Sequence, residues 1–269
     1  MIRRVATLGL VVLALGVSAT AFAHGSSGGS SKHSGGGDSS PAPAAPTPDD
    51  EAVKFIQSVI TSRTGESDGD AVKSVGKLVG YWKNTSVTPA TKQPIPSLVA
   101  WYAKRKSVTV ATAGINGLGA IGKGPGSKNL SNILDGLLAQ KDAPPELVAA
   151  AFAGMKAAAD PDPSVLAPVI AAVSSKDKTI CAKAVDVFGG FDTAPVAARR
   201  HLFDVLIAAF DAMSVAAAKG DDKGAVDRWT ALASPAAGAL GTLSHQQFTD
   251  LAAAHKWANQ HGGDAGAWK

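Results

Sequence analysis

The chain has 269 residues, of which 26 are Lys or Arg and 22 are Asp or Glu, giving a net charge of +4. This near balance argues against a nucleic-acid-binding protein, which normally carries a large excess of basic residues on one face. The single cysteine excludes an internal disulfide framework. With 51 alanines and only 2 tyrosines and 8 phenylalanines, the composition favours closely packed helices over a β-sandwich.

The first 23 residues have the composition of a secretory signal peptide. Arg3 and Arg4 precede an apolar run over residues 5–17, and Ala21 and Ala23 supply small residues before a cleavage site. The apolar run is shorter than the ~20 residues that a membrane-spanning helix needs. An uncleaved N-terminal anchor is the alternative interpretation. With cleavage, we expect a periplasmic or secreted protein of the bacterial cell envelope.

Residues 24–48 are of low complexity, with 6 Gly, 7 Ser and 4 Pro among 25 residues. Such a segment cannot bury enough apolar surface to offset the entropy that ordering would cost. We therefore predict a disordered linker that tethers the folded part of the chain.

Helical periodicity begins at residue 49. The pattern predicts an N-terminal helix over 49–61, followed by a first helix pair over 70–83 and 95–106. Three further pairs follow, and the last pair is expected over 223–243 and 246–260. No strand pattern interrupts this series, so we predict an all-α domain over residues 49–269.

The helices that follow the first pair repeat. Leu130, Leu166 and Leu202 lie 36 residues apart, and each opens an apolar face with i, i+3, i+4, i+7 spacing. The preceding helices repeat at 37 and then 33 residues, through the apolar pairs Ile115/Leu118, Phe152/Met155 and Val185/Phe188. Two helix registers with similar periods indicate a tandem repeat of helix, turn and helix.

The predicted breaks carry helix-terminus residues. Asp162, Asp177 and Thr193 are expected to cap helix N-termini, whereas Gly122 and Gly190 are expected to adopt left-handed turns at C-termini. These positions divide the domain into about five helix pairs.

The phrase from Val110 to Lys123, followed by Asn129 to Asp142, resembles the short bacterial HEAT-like repeats. This resemblance implies a short right-handed α-solenoid of antiparallel helix pairs, an architecture used to bind other macromolecules. The chain departs from the family pattern because Thr112, Ala149 and Ala182 stand near a slot that often holds arginine. The usual polar ladder between repeats is therefore in doubt, and packing of small residues is the expected substitute.

Two short segments are rich in basic residues, and one of them also contains aromatic residues. The first comprises Trp101, Tyr102, Lys104, Arg105 and Lys106, and the second comprises Arg199 and Arg200, beside His201. If the Trp101 ring is exposed beside the cations, the first cluster is a candidate binding surface for an anionic polymer or a protein. The alternative for Trp101 is core packing, and that for Arg199 and Arg200 is a solvated helix face.

Residues with catalytic or metal-binding chemistry do not form a recognisable set. Cys181 falls on an apolar slot with no histidine nearby in sequence, so we predict a buried core thiol. His245, His255 and His261 do not share one helix face, and a zinc site would need them to converge in the fold. We therefore predict no cofactor and no metal site.

The sequence as a whole favours an exported, non-enzymatic scaffold that binds a protein or peptide partner. Two alternatives remain open: an envelope polymer binder that uses Trp82, Trp101 and Trp229, and a metal-dependent enzyme that uses the C-terminal histidines. We expect no nucleic-acid partner and no membrane span once the signal peptide is removed.

Overall fold

The computed structural model describes residues 47–62, 66–84 and 93–268. The predicted signal peptide lies outside these residues, as does nearly all of the predicted linker. Within them the chain folds into eleven α-helices and two short 3-10 turns, without a strand. The all-α prediction is confirmed for this part of the chain.

The helices follow one another with short connections. Their bounds are α1 (Pro48–Thr61), α2 (Asp68–Asn84), α3 (Ile95–Ala103), α4 (Val108–Ile121), α5 (Pro125–Leu138), α6 (Pro145–Ala158), α7 (Pro163–Val173), α8 (Lys178–Val187), α9 (Val196–Ala218), α10 (Lys223–Ser244) and α11 (Leu251–His261). The 3-10 turns are Phe188–Gly190 and Ala265–Trp268.

Polar side chains and glycine fix several helix ends, as the sequence predicts. The Asp162 carboxylate accepts a hydrogen bond from the Ser164 amide at 2.9 Å, and the Asp177 carboxylate accepts one from the Thr179 amide at 2.7 Å. Gly122 ends α4 with a φ of 87°, a backbone conformation that suits glycine.

Two predicted helix ends are wrong. Thr193 caps no helix, because α9 begins at Val196 with Pro195 in the capping position. Gly190 is not left-handed and lies in a 3-10 turn. Glycine is needed there for a close approach, since a Cβ at Gly190 would lie 2.5 Å from the Lys156 carbonyl oxygen.

Two helices differ from their predicted bounds, and a third is unusually long. α3 ends at Ala103, three residues early, because Ser107 caps α4 and the chain must turn between them. α9 runs for 23 residues, about twice the length of α7. α11 begins at Leu251, five residues late, because the Asp250 carboxylate caps it through the Ala253 amide.

The helices pack in two sets. In the even-numbered set, α2 contacts α4, and the contacts continue in the same way through α6 and α8 to α10. In the odd-numbered set, α5 contacts both α3 and α7. Each odd-numbered helix from α3 to α9 also packs against the even-numbered helix that follows it. The core lies between the two sets, where Leu130, Leu166 and Leu202 are fully buried in α5, α7 and α9, as predicted.

Small residues allow α4 and α6 to meet at the backbone. A Cβ added to Gly119 of α4 would lie 2.9 Å from the Cα of Gly154 in α6. Both glycines are buried. The absence of side chains at these two positions therefore permits a direct backbone contact between α4 and α6.

A half-buried carboxylate ties the start of α5 to the turn between α6 and α7. Asp160 accepts hydrogen bonds from the Gly124 amide at 2.9 Å and from the Ser127 hydroxyl at 2.5 Å. Burial acts to raise the pKa of Asp160, but these bonds and one from the Asp162 amide outweigh it and leave the pKa below its usual value. The charged carboxylate therefore joins segments more than thirty residues apart.

By length and composition alone, α9 is the one helix within the described residues that could cross a membrane. A single helix of this kind is weak evidence for a membrane span. In the fold, Leu202, Phe203 and Leu206 of α9 are fully buried.

Candidate functional site

The predicted aromatic and basic cluster lies at the C-terminal end of α3. Trp101 and Tyr102 belong to the last turn of the helix, and Lys104, Arg105 and Lys106 form the short connection to α4. The two rings meet edge to face, with centroids 4.8 Å apart. Neighbours in sequence thus have different environments, because helix residues one apart face different directions.

Tyr102 is a core residue with a bonded hydroxyl group. Its side chain is 1% exposed, and the hydroxyl donates to Glu66 Oε2 at 2.9 Å, while the Ser74 hydroxyl donates to Glu66 Oε1 at 3.2 Å. Burial, followed by the Glu66 hydrogen bond, raises the pKa of Tyr102 to about 12. The structure therefore gives Tyr102 a packing and bracing position under the cluster.

Arg105 lies over the Trp101 ring, with the guanidinium carbon 4.8 Å from the ring centroid. Its Nη1 is shielded from solvent and has no hydrogen-bond partner. None of the ion pairs found within the described residues includes Lys104, Arg105 or Lys106. Trp101 is half-buried and packs against the core, so its ring is partly available beside these cations.

Arg105 and Lys104 line a cleft of about 350 Å³ between α3, α5 and the start of α6. We call this the first cleft. Asn132 and Gly136 of α5 form its opposite side, and Pro144 lies where α6 begins. Sequence reasoning identified the two cations but not the α5 residues that face them.

Two more clefts follow in the same direction along the chain. The second cleft, of about 400 Å³, lies between α5, α7 and the start of α8, and Asp135 and Pro168 line it. The third cleft, of about 150 Å³, lies between α9 and the start of α10, where Met213 and Arg228 line it together with Ser174, the residue after α7. Residues of α5 line both of the first two clefts.

The first two clefts are built from equivalent positions. Four pairs of lining residues, one member from each cleft, lie 36 residues apart: Ala103 and Ala139, Asn132 and Pro168, Gly136 and Ala172, Pro144 and Ile180. This spacing equals the period of the apolar helix faces in the sequence. The third cleft shifts along α9 by about one turn, since Ala212 lies 40 residues after Ala172.

The second basic cluster is structural at Arg199. This residue is 3% exposed, which corrects the expectation of a solvated helix face. Its Nε donates to the Ala194 carbonyl at 3.1 Å, its Nη1 to the Leu243 carbonyl at 2.8 Å, and its Nη2 to the Trp268 carbonyl. Burial lowers the pKa of Arg199, and the nearby Asp192 charge opposes that shift.

Arg200 also binds the end of the chain. Its Nη2 donates to the Gly262 carbonyl, and its guanidinium carbon lies 5.6 Å from the Trp268 ring centroid. Trp268 is buried and contacts Phe203 edge to face at 5.3 Å. Arg199 and Arg200 therefore hold the C-terminal 3-10 turn against α9, and only His201 of this cluster is exposed.

The candidate metal ligands have separate partners. His245 Nε2 lies 2.7 Å from the Asp192 carbonyl oxygen, His255 Nε2 lies 2.7 Å from Asp211 Oδ1, and Asp250 caps α11. Within the described residues, no three His, Cys, Asp or Glu side chains are grouped to hold a metal ion.

Cys181 is fully buried, as predicted. Its thiol donates to the Val173 and Ser175 carbonyls at 3.2 and 2.9 Å, and burial raises its pKa. A raised pKa keeps the sulfur in the unreactive thiol form near neutral pH.

A wider hollow of about 710 Å³ lies beside the end of α10. Gly189, Gly238, Thr242 and His245 line it. Its lining has no counterpart among the three successive clefts, so it stands apart from the repeating surface.

Trp82 and Trp229, the other aromatic candidates, are half-buried and pack against the core. The chain matches no model of a known protein family, and a search of curated proteins finds no similar sequence.

Proposed function

We propose that residues 49–269 form a right-handed α-solenoid of about five helix pairs, similar to HEAT-like repeats. Support comes from the order of packing, in which even-numbered helices neighbour even-numbered ones and α3, α5 and α7 neighbour one another. Further support comes from the agreement between the 36-residue sequence period and the spacing of cleft-lining residues. In this scheme, residues 1–23 export the chain and residues 24–48 tether it in the envelope.

The function we propose is non-catalytic binding of an extended peptide segment of a protein partner. The observation that carries this proposal is the series of three clefts, of which the first two lie between α3, α5 and α7 and the third lies between α9 and α10. Repeat proteins use such serial surfaces to bind long ligands. A single small ligand would need only one of these clefts.

The dimensions of a peptide agree with the series. Packed helices lie about 8–10 Å apart, and an extended chain advances about 3.3 Å per residue. Successive clefts would therefore accept side chains about three residues apart in the peptide. The second cleft is lined mainly by apolar groups, including Leu138, Pro168 and Ile180, which suits an apolar side chain.

Site-specific photo-crosslinking in the producing cells tests this function. A photoreactive phenylalanine analogue replaces Ala171, an exposed residue that lines the second cleft. In the control variant it replaces Ala153 of α6, which is also exposed but lines none of the three clefts. Both sites are exposed alanines within helices, so the two substitutions are of the same kind. We expect a crosslinked product from position 171 that glycan-cleaving enzymes leave unchanged, and no product from position 153.

Products of equal yield from both positions, or no product from position 171, would contradict peptide binding in the clefts. A product whose size is reduced by glycan-cleaving enzymes would favour the envelope polymer alternative.

A further inference from the structure

We infer that the first cleft binds the carboxylate of an acidic side chain in the partner peptide, and that Arg105 makes the main contact with this carboxylate. This inference rests on the proposed peptide-binding function and adds the chemistry of one end of the peptide. It also assigns an orientation, because the acidic side chain must enter the first cleft and not the second.

The unpartnered guanidinium nitrogen is the primary observation. Arg105 Nη1 is shielded from water and makes no hydrogen bond. Nearly all buried polar groups in proteins have a partner, because leaving one unsatisfied is destabilising. One other such nitrogen is found within the described residues, Trp268 Nε1, and it lies in the C-terminal aromatic cluster. Arg105, by contrast, lines an open cleft.

The guanidinium is stacked on an aromatic ring before any ligand arrives. Arg105 stacks on Trp101, Trp101 meets Tyr102 edge to face, and the Tyr102 hydroxyl is bonded to Glu66. A small rotation of the guanidinium then brings the shielded Nη1 to the cleft, and the stacked side chain loses little conformational entropy when a ligand binds. The planar fork of arginine also matches the two oxygens of a carboxylate.

The charges around the first cleft favour an anion. Lys104 adds a second cation, and neither Asp nor Glu lines this cleft. Helix α6 begins here with no side-chain cap, so the positive end of its dipole faces the same region. The acidic residues nearest in sequence to the start of α6, Asp142 and Glu146, are exposed, and neither of them lines the cleft.

The second cleft has the opposite character. Asp135 lines it and no Lys or Arg does. An acidic side chain is therefore accepted in the first cleft and repelled in the second. The predicted ligand has Asp or Glu at one position and an apolar residue about three positions away, in line with the spacing of the helices.

Selection from a random nine-residue peptide library displayed on phage tests this inference with the purified chain. We expect enrichment of Asp or Glu at one position, with an apolar residue about three positions away. Selection on Arg105→Gln should retain the apolar preference and lose the acidic one. Arg105→Lys keeps the charge without the fork, so an intermediate preference is expected.

The selected peptide, made synthetically, gives the quantitative measurement. Arg105→Gln should weaken its binding at least about tenfold, since hydrogen bonds to charged groups contribute about 1.5–3 kcal/mol. Changing the peptide's acidic residue to its amide should weaken binding to the same extent, and the two changes together should add nothing further. Lys128→Gln, at the other end of α5, removes the same charge and should leave binding unchanged.

The possible results separate the two proposals. Enriched peptides without an acidic preference would overturn the assignment of Arg105 and leave peptide binding intact. Failure to enrich any peptide on the wild-type chain would overturn peptide binding itself. Dextran sulfate tests the alternative ligand, an anionic polymer. If it binds the wild-type chain, binds Arg105→Gln more weakly, and no acidic peptide is selected, then the first cleft binds an anionic polymer and the carboxylate assignment is wrong. Circular dichroism melts confirm that each variant is folded.

Discussion

Two regions of the molecule place an arginine over an indole ring, and they differ in how the guanidinium groups are bonded. At the start of α9, Arg199 and Arg200 both donate to backbone carbonyls. Arg199 binds the Trp268 carbonyl, and Arg200 lies over the Trp268 ring. At the end of α3, Arg105 stacks on Trp101 with one buried nitrogen unbonded. The same pairing of residue types therefore serves as an internal brace in one region and leaves a guanidinium nitrogen without a partner in the other.

The largest expected effect is at the C-terminal brace. Trp268→Ala should lower the free energy of unfolding by about 4 kcal/mol, because it removes a buried ring from between Phe203 and Trp257. Trp268→Phe keeps an aromatic ring and removes the unpartnered indole nitrogen, so its cost should be below about 1.5 kcal/mol. Urea unfolding measures both. Equal losses for Ala and Phe would show that ring packing does not secure the tail.

The next effect compares the two arginines directly. Arg199→Met should lower the free energy of unfolding by about 3 kcal/mol, since three buried carbonyls lose a charged donor. Arg105→Met should cost only about 0.5 kcal/mol, because it loses one stacking interaction and no hydrogen bond. The same side chain is introduced at both sites, so similar losses in urea unfolding would contradict the contrast between brace and binding site.

A smaller effect concerns the support beneath Arg105. The fold favours the protonated phenol of Tyr102, whose pKa rises from 10.0 to about 12. This stabilisation is complete below pH 10 and is lost as the pH rises through 12. Between pH 9.5 and 12 we expect a loss of about 2 kcal/mol from this group.

Tyr102→Phe provides the control for that pH dependence, because lysines also titrate in the same range. The variant should lack the Tyr102 contribution, so its stability should fall less steeply between pH 9.5 and 12. Parallel pH profiles for the two proteins would remove the Glu66 hydrogen bond from the account of how Arg105 is supported.

Much of the fold follows from local sequence. The helix faces that begin with Leu130, Leu166 and Leu202 are predicted because apolar spacing and burial are linked directly. Asp162 and Asp177 are predicted as caps because their chemistry acts within three residues. The length of α9 is not predicted, since the helix is stabilised by packing against α10, and no local sequence pattern shows how far that packing extends.

The candidate site is only half predictable. Lys104 and Arg105 are identified from composition, but their partners across the cleft, such as Asn132, come from a helix that no local pattern connects to them. Arg199 is wrongly predicted to be exposed because two of its hydrogen-bond acceptors, the Leu243 and Trp268 carbonyls, lie 44 and 69 residues away in sequence. A signal for the clefts does exist in the sequence, since the 36-residue period could have been applied to the positions between helices as well as to the core.

The contact between Gly119 and Gly154 has a consequence for ligand selection. With no Cβ on either residue, α4 and α6 approach at the backbone. If the helices form the proposed solenoid, spreading α4 from α6 by one methyl group would tilt α3 relative to α5, because these two helices pack against α4 and α6. The width of the first cleft, and with it the register of the proposed peptide, would then depend on the hydrogen atoms of two glycines on the other side of the core.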